Sequence, residues 1–160
     1  MKLRTLTSLA VVAVALPITL PSPRVASVAA PPVVAQDDDE TPIGERMEVI
    51  NKHMRALRIQ LKDAAKNADS LKLVLEMQHK ALEAKGFDPV KLSQQAGKDA
   101  QDKLRVEFRR TMHEFLGQMF ELELALLTDD NDAAEAAYRA LGKMKSPSHK
   151  QFKGTPDKGD

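Results

Sequence analysis

The segment PIGERMEVINKHMRALRIQL, residues 42–61, places Ile43, Met47, Ile50, Met54, Leu57 and Leu61 at alternating steps of four and three. Positions three and four apart share one face of a helix, so these six side chains form a single narrow apolar stripe. A strand would need apolar residues at every second position, and the polar pairs between these exclude it. Thr41-Pro42 supplies the start: a hydroxyl that can accept from the first free amides, then a residue whose missing N–H costs nothing at the first helical position. The stripe predicts a long helix ending near Ala68.

Three further stripes follow. Asp69 or Ser70 is the expected cap of a second helix carrying Leu71, Val74, Leu75, Met77, Ala81 and Leu82, with Gly86 stopping it in a left-handed conformation. The stretch from Phe87 to Asp99, with Pro89 and Gly97, reads as the longest connection. Leu104, Phe108, Met112, Phe115, Met119, Leu122 and Leu126 then predict a third helix from about Ala100 to Leu127. After the turn Thr128-Asp129-Asp130-Asn131, a fourth runs from about Asp132 through Ala134, Ala137, Tyr138, Leu141 and Met144. No stretch alternates as a strand does. The expected fold is therefore all-α, an antiparallel up-down-up-down four-helix bundle over residues 42–153.

The ends read differently. Lys2 and Arg4 precede an almost unbroken apolar run from Leu6 to Leu20, and Val33-Val34-Ala35 offers a cleavage site before the acids Asp37 to Glu40. Pro17, Pro21 and Pro23 interrupt the run before it reaches the ~20 apolar residues of a spanning helix. Residues 1–35 are thus expected to be a signal peptide, 36–41 an acidic linker and 154–160 a disordered tail, in a periplasmic protein with no stable membrane insertion once the signal is removed. Loss of residues 1–35 removes Lys2, Arg4 and Arg24, leaving 21 bases against 23 acids and a net charge of −2. That balance, with no clustered basic face, argues against a nucleic-acid partner. The chain has no Cys, so packing alone must stabilise it.

No nucleophile–base pair, phosphate loop or converging carboxylates appear, so no enzymatic role is expected. Of the seven Met and four His, Met54, Met77, Met112, Met119 and Met144 fall on core stripes, where Met commonly fills gaps. His79 and His113 flank apolar positions as polar neighbours. Met47 and His149 stand apart. One lies on the inward stripe near the start of the first helix and the other near the end of the fourth, and an up-down bundle brings those two ends together. A thioether and an imidazole on opposite sides of an iron form a known haem axial pair.

The motif Glu45-Arg46-Met47-Glu48-Val49-Ile50-Asn51 resembles the first-helix ligand motif of the cytochrome b562 family, Met-Glu-x-x-Asn. Phe108-Arg109, Leu116-Gly117-Gln118, Leu141 and His149-Lys150-Gln151-Phe152 are similar to the family's third and fourth helices, without a gap from Phe108 to His149. The resemblance implies b-type haem held without covalent links, with Met47 and His149 as axial ligands. It also implies pocket roles for Asn51, Phe108, Met112, Leu141 and Lys145, the last standing where the family usually has Arg. The end of the fourth helix is similar as well to cytochrome c-prime, whose haem attaches through Cys-x-x-Cys-His. Lys145 and Ser148 occupy those two Cys positions here, so thioether attachment is impossible.

Pro147 stands two residues before His149. The expected arrangement is Ser146 as a cap and Pro147 opening a short restarted helix that carries His149 and Phe152. The function so implied is a periplasmic electron carrier that meets a redox partner protein. Two alternatives stay open: a haem-free exported bundle with a binding or envelope-stress role, and a copper-binding bundle using His53 and Met54.

Overall fold

A computed structural model describes residues 41–154. The expected signal peptide, residues 36–40 of the linker and residues 155–160 of the tail lie outside the described residues. Four helices account for most of what is described: α1 (Pro42–Gln60), α2 (Asn67–Lys85), α3 (Lys98–Leu127) and α4 (Asn131–Phe152), with no strand among the described residues. Thr41 caps α1 as its sequence suggests, its Oγ1 accepting from Gly44 N at 3.0 Å.

Consecutive helices pack on one another, α1 on α2, α2 on α3 and α3 on α4, whereas α1 and α4 make little close backbone approach. Contacts between neighbours pair rising numbers on one helix with falling numbers on the next. Arg46 meets Glu83, His53 meets Glu76 and Gln60 meets Ser70; Gly86 meets Arg109 and Gln78 meets Glu123; Phe108 meets Phe152. α1 and α2, and α2 and α3, therefore run in opposite directions. Leu57, Val74, Met77, Met119 and Leu122 are completely buried at the centre, where the stripes converge.

Several boundaries depart from the stripe reading. The first helix stops at Gln60 rather than near Ala68, because Asp63 turns extended and caps a 3-10 turn, Ala64–Lys66, by accepting from Ala65 N at 3.1 Å. Ser70 is no cap. It is buried inside α2 and donates to Gln60 Oε1 at 3.0 Å. Leu75 and Leu82 point outward, because α2 spends its inward face on Val74, Met77 and Ala81. Gly86 ends α2 in the right-handed region (φ −67°), closed by a tight bond from its N–H to Glu83 O at 2.9 Å. The left-handed positions are instead Gly97 (φ 87°), just before α3, and Asp129 (φ 54°) in the α3–α4 turn. The connection after Gly86 contains a 3-10 turn, Val90–Leu92, that reaches α4 through a bond from Lys91 Nζ to Lys150 O at 3.3 Å. Gly154, the first residue of the expected tail, still lies against Val90 and Gln94.

Pro147 does not restart the helix. α4 runs unbroken to Phe152, with Pro147 inside it. Proline forfeits one backbone bond, but Ser148 Oγ donates to Met144 O at 2.7 Å and Phe152 is buried against Phe108, so the turn beyond is held by contacts that local propensity does not record.

At the opposite end of the bundle, buried Asn67 donates to Asp129 Oδ1 and Asn131 Oδ1, both at 3.0 Å, and Asn131 Nδ2 donates to Leu61 O at 3.2 Å. This clasp ties the α1–α2 connection to the left-handed Asp129 turn. Asparagine and aspartate tolerate that conformation better than most residues. Asn67→Ala should leave these acceptors without their donor and lower stability by about 1–3 kcal/mol, read as a drop in urea midpoint with no loss of helicity.

Candidate functional site

On α1, Arg46, His53 and Gln60 recur every seventh residue and all engage α2. The adjacent flank is set by a cavity of about 140 Å3 between the end of α1 and the start of α4, lined by Arg58 of α1, by Leu61 and Lys62 just beyond it, and by Glu135, Tyr138 and Arg139 of α4. Met47, Asn51, Met54 and Arg58 follow one another at steps of four, three and four, so Met47 and Asn51 lie on the α4-facing flank of α1. On α4, Tyr138, Gly142, Lys145 and His149 follow at the same steps, which puts Lys145 and His149 on the α1-facing flank. The two flanks border the seam where α1 and α4 stay apart.

Height along the bundle agrees. Arg46 is level with Glu83, Gly86 with Arg109, and Phe108 with Phe152. Following those pairs around the bundle sets Met47 and His149 within about one helical turn of each other in height. Met47 is half-buried against the core and His149 is exposed on the last turn of α4. Asn51 is half-buried and Lys145 exposed. Phe108, Met112 and Leu141 are all buried in the core.

The end that carries Met47 and His149 is braced by charge. Arg46 Nε lies 3.0 Å from Glu83 Oε2, and its guanidinium stands 5.0 Å above the Phe87 ring. Glu83 also takes Lys80 and His79, at 3.1 and 2.9 Å. The Lys80 hydrogen bond, aided by the neighbouring cations, holds the Glu83 carboxyl below the usual carboxylate range. Arg105 grips Asp88 with a two-pronged contact, Nε to Oδ1 at 3.0 Å and Nη2 to Oδ2 at 3.1 Å, and that hydrogen bonding keeps Asp88 low. The brace joins residues far apart in sequence, and no local motif announces it.

His53 and Met54 do not converge. His53 is buried towards α2, its Nε2 3.0 Å from Glu76 Oε2, while Met54 lies on the other flank. Both Arg46 Nε and His53 Nε2 sit off the line a hydrogen bond needs, so their carboxylate partners act as charges rather than as aligned acceptors. His79 engages Glu83 at the surface, and His113 is exposed. The residue whose weight sequence reasoning missed is Phe152. Its ring meets Phe108 edge-on at 5.3 Å and so anchors the turn that bears His149. The available signal was its spacing, three residues after His149 and in step with Leu141, Met144 and Ser148.

Phe152→Ala should cost about 3 kcal/mol as a buried aromatic truncation and raise amide exchange in the last turns of α4 ahead of the rest of the helix. The acid response has a definite sign. Asp88 is depressed in the folded state, so its contribution is complete above the ordinary carboxylate pKa of about 3.9 and is lost as pH falls through the lower folded value. Urea midpoints should fall below about pH 4, and Arg105→Gln should flatten that fall while lowering the neutral-pH midpoint.

No curated protein and no solved structure matches the chain. The family model described as cytochrome b562 matches residues 42–153, a span that takes in all four helices and both Met47 and His149. That family suggests a haem-binding, electron-transferring helical bundle, and this chain belongs to the cytochrome b562 family.

Proposed function

We propose that the protein is an exported, periplasmic carrier of electrons that holds b-type haem without covalent links, with Met47 and His149 as axial ligands. The observation that carries the reading is the α1–α4 seam. It is the edge where consecutive helices leave a gap, and it has a thioether on one flank and an imidazole on the other at nearly one height. The donor set suits iron, soft sulfur on one side and a borderline nitrogen on the other. A half-buried Met47 packed against a core that contains Phe108, Met112 and Leu141 suits the apolar body of a porphyrin.

Bound haem supplies a one-electron couple, and the protein sets its potential through ligands, burial and nearby charge. Met47 holds the inner side on a regular helix. His149 would hold the other side from the last turn of α4. Phe108, Met112 and Leu141 keep water from the inner face. Lys145, in step with His149, offers a point charge for a carboxylate, and Asn51 a neutral donor on the opposite flank. The exposed edge of the seam is where a redox partner protein would dock.

Protein expressed with ample haem should show, when reduced, the sharp visible bands of a six-coordinate low-spin centre. Met47→Ala and His149→Ala should each abolish that signature while preserving helicity. Bands that persist in the double variant would rule out this ligand pair. Haem at about 100 times its Kd should also raise stability by about 2.7 kcal/mol.

A further inference from the structure

Two stretches of the described chain hold no Asp or Glu. Residues 49–62 carry Lys52, Arg55, Arg58 and Lys62, and residues 136–154 carry Arg139, Lys143, Lys145, Lys150 and Lys153. The other described residues hold 11 Lys and Arg against 17 Asp and Glu. Asn51, Arg55, Arg58 and Lys62 follow at steps of four, three and four along α1 and the turn that ends it, so the three cations lie on the α4-facing flank. Lys145 is on the α1-facing flank of α4, and Arg139, Lys143 and Lys150 form the row just outside it, one residue after Tyr138, Gly142 and His149. Arg58, Lys62 and Arg139 meet around one cavity. The fold thus makes a basic band along the α1–α4 seam that the even overall charge conceals, because its two halves stand at opposite ends of the bundle's sequence.

The cations of the band are available. Arg55, Arg58, Lys62, Lys143, Lys145 and Lys150 are all exposed, and none forms an ion pair among the described residues. The surrounding carboxylates are engaged or lie at the margins. Glu135 holds Arg139 at 3.0 Å, Glu45 holds Arg46 at 3.1 Å and Glu107 accepts from Gln151 at 3.0 Å. Glu48 is exposed one turn ahead of Lys52, and Asp132 lies in the first turn of α4. Glu114 and Glu121 line a groove with Ala140 and Met144, on the other flank of α4.

We propose that this band docks an acidic face of a partner protein. With haem in the same seam, the reading on which this one rests, the partner would be brought against the edge through which electrons leave. Encounters between redox proteins are small and steered by charge. Ile59, 70% exposed, stands four residues after Arg55 and three before Lys62 and adds an apolar contact among the cations. A lipid surface would want a whole apolar row to bury, but exposed Leu75, Leu82, Phe120 and Leu124 are on α2 and α3. A single-stranded nucleic acid would want exposed aromatic rings to stack on, and in the two stretches Phe152 is buried and Tyr138 half-buried.

Polyglutamate probes the band with or without haem. At about 10 mM salt it should bind the protein, shift the amide NMR signals of residues 55–62 and 139–150, leave those of α2 in place, and be released by about 150 mM salt. Lys143→Glu with Lys150→Glu should weaken that binding at least about tenfold, whereas Lys103→Glu with Arg110→Glu, the same change of charge on α3, should weaken it less than about twofold. No binding, equal losses in the two variants, or binding of phosphatidylglycerol vesicles or oligothymidylate that survives 150 mM salt would overturn the proposal. The visible spectrum of the haem-loaded protein separates the two readings. Polyglutamate bound at the band of a protein that takes up no haem supports the docking surface and removes the haem, and the reverse result removes only the surface.

Discussion

The bundle depends on burying one narrow apolar stripe per helix, with no disulfide to help. Each stripe is too thin to cover two neighbours equally. Helices consecutive in the chain take the close contacts, and the first and last, α1 and α4, approach each other little. The bundle thus acquires a seam as a by-product of its topology. The proposed haem site lies at that seam, the loosest of the four.

The two ends of the bundle are secured by different chemistry. Away from the candidate site the clasp is neutral, Asn67 and Asn131 bridging to Asp129 and to the Leu61 carbonyl. Near the site the brace is ionic and more exposed, with Arg46, Glu83, Arg105 and Asp88 fastening α1 to α2 and the long connection to α3. Surface ion pairs are individually weak, so this end is held as much by Phe108 on Phe152 as by charge.

Period and spacing made the fold legible. Steps of three and four in residues 42–61 and 104–126 required helices, and the inward placement of Phe108, Met112 and Leu141 followed from the same count. Local chemistry misled where tertiary contacts override it. Pro147 looked like a break but lies within α4, because Phe152 is worth more buried than the lost amide bond costs. Ser70 looked like a cap but is wanted inside, where Gln60 accepts its proton. Gly86 looked left-handed, yet a 3-10 closure suffices there, and the left-handed conformations fall on Gly97 and Asp129. For the site, motif and spacing singled out Met47 and His149. Which flanks they occupy needed the α2 contacts of Arg46 and His53 and the cavity lined by Arg58 and Tyr138.

In the proposed site Met47 and His149 hold one haem iron from the two flanks of the α1–α4 seam. Proton NMR of the reduced, haem-loaded protein tests it most directly, because the ring current of a porphyrin moves the methyl of a bound methionine far upfield. The account requires one such methyl, assigned to Met47 and absent from Met47→Leu. Methionine methyls that all keep their ordinary positions, or an upfield methyl that survives that substitution, would contradict it.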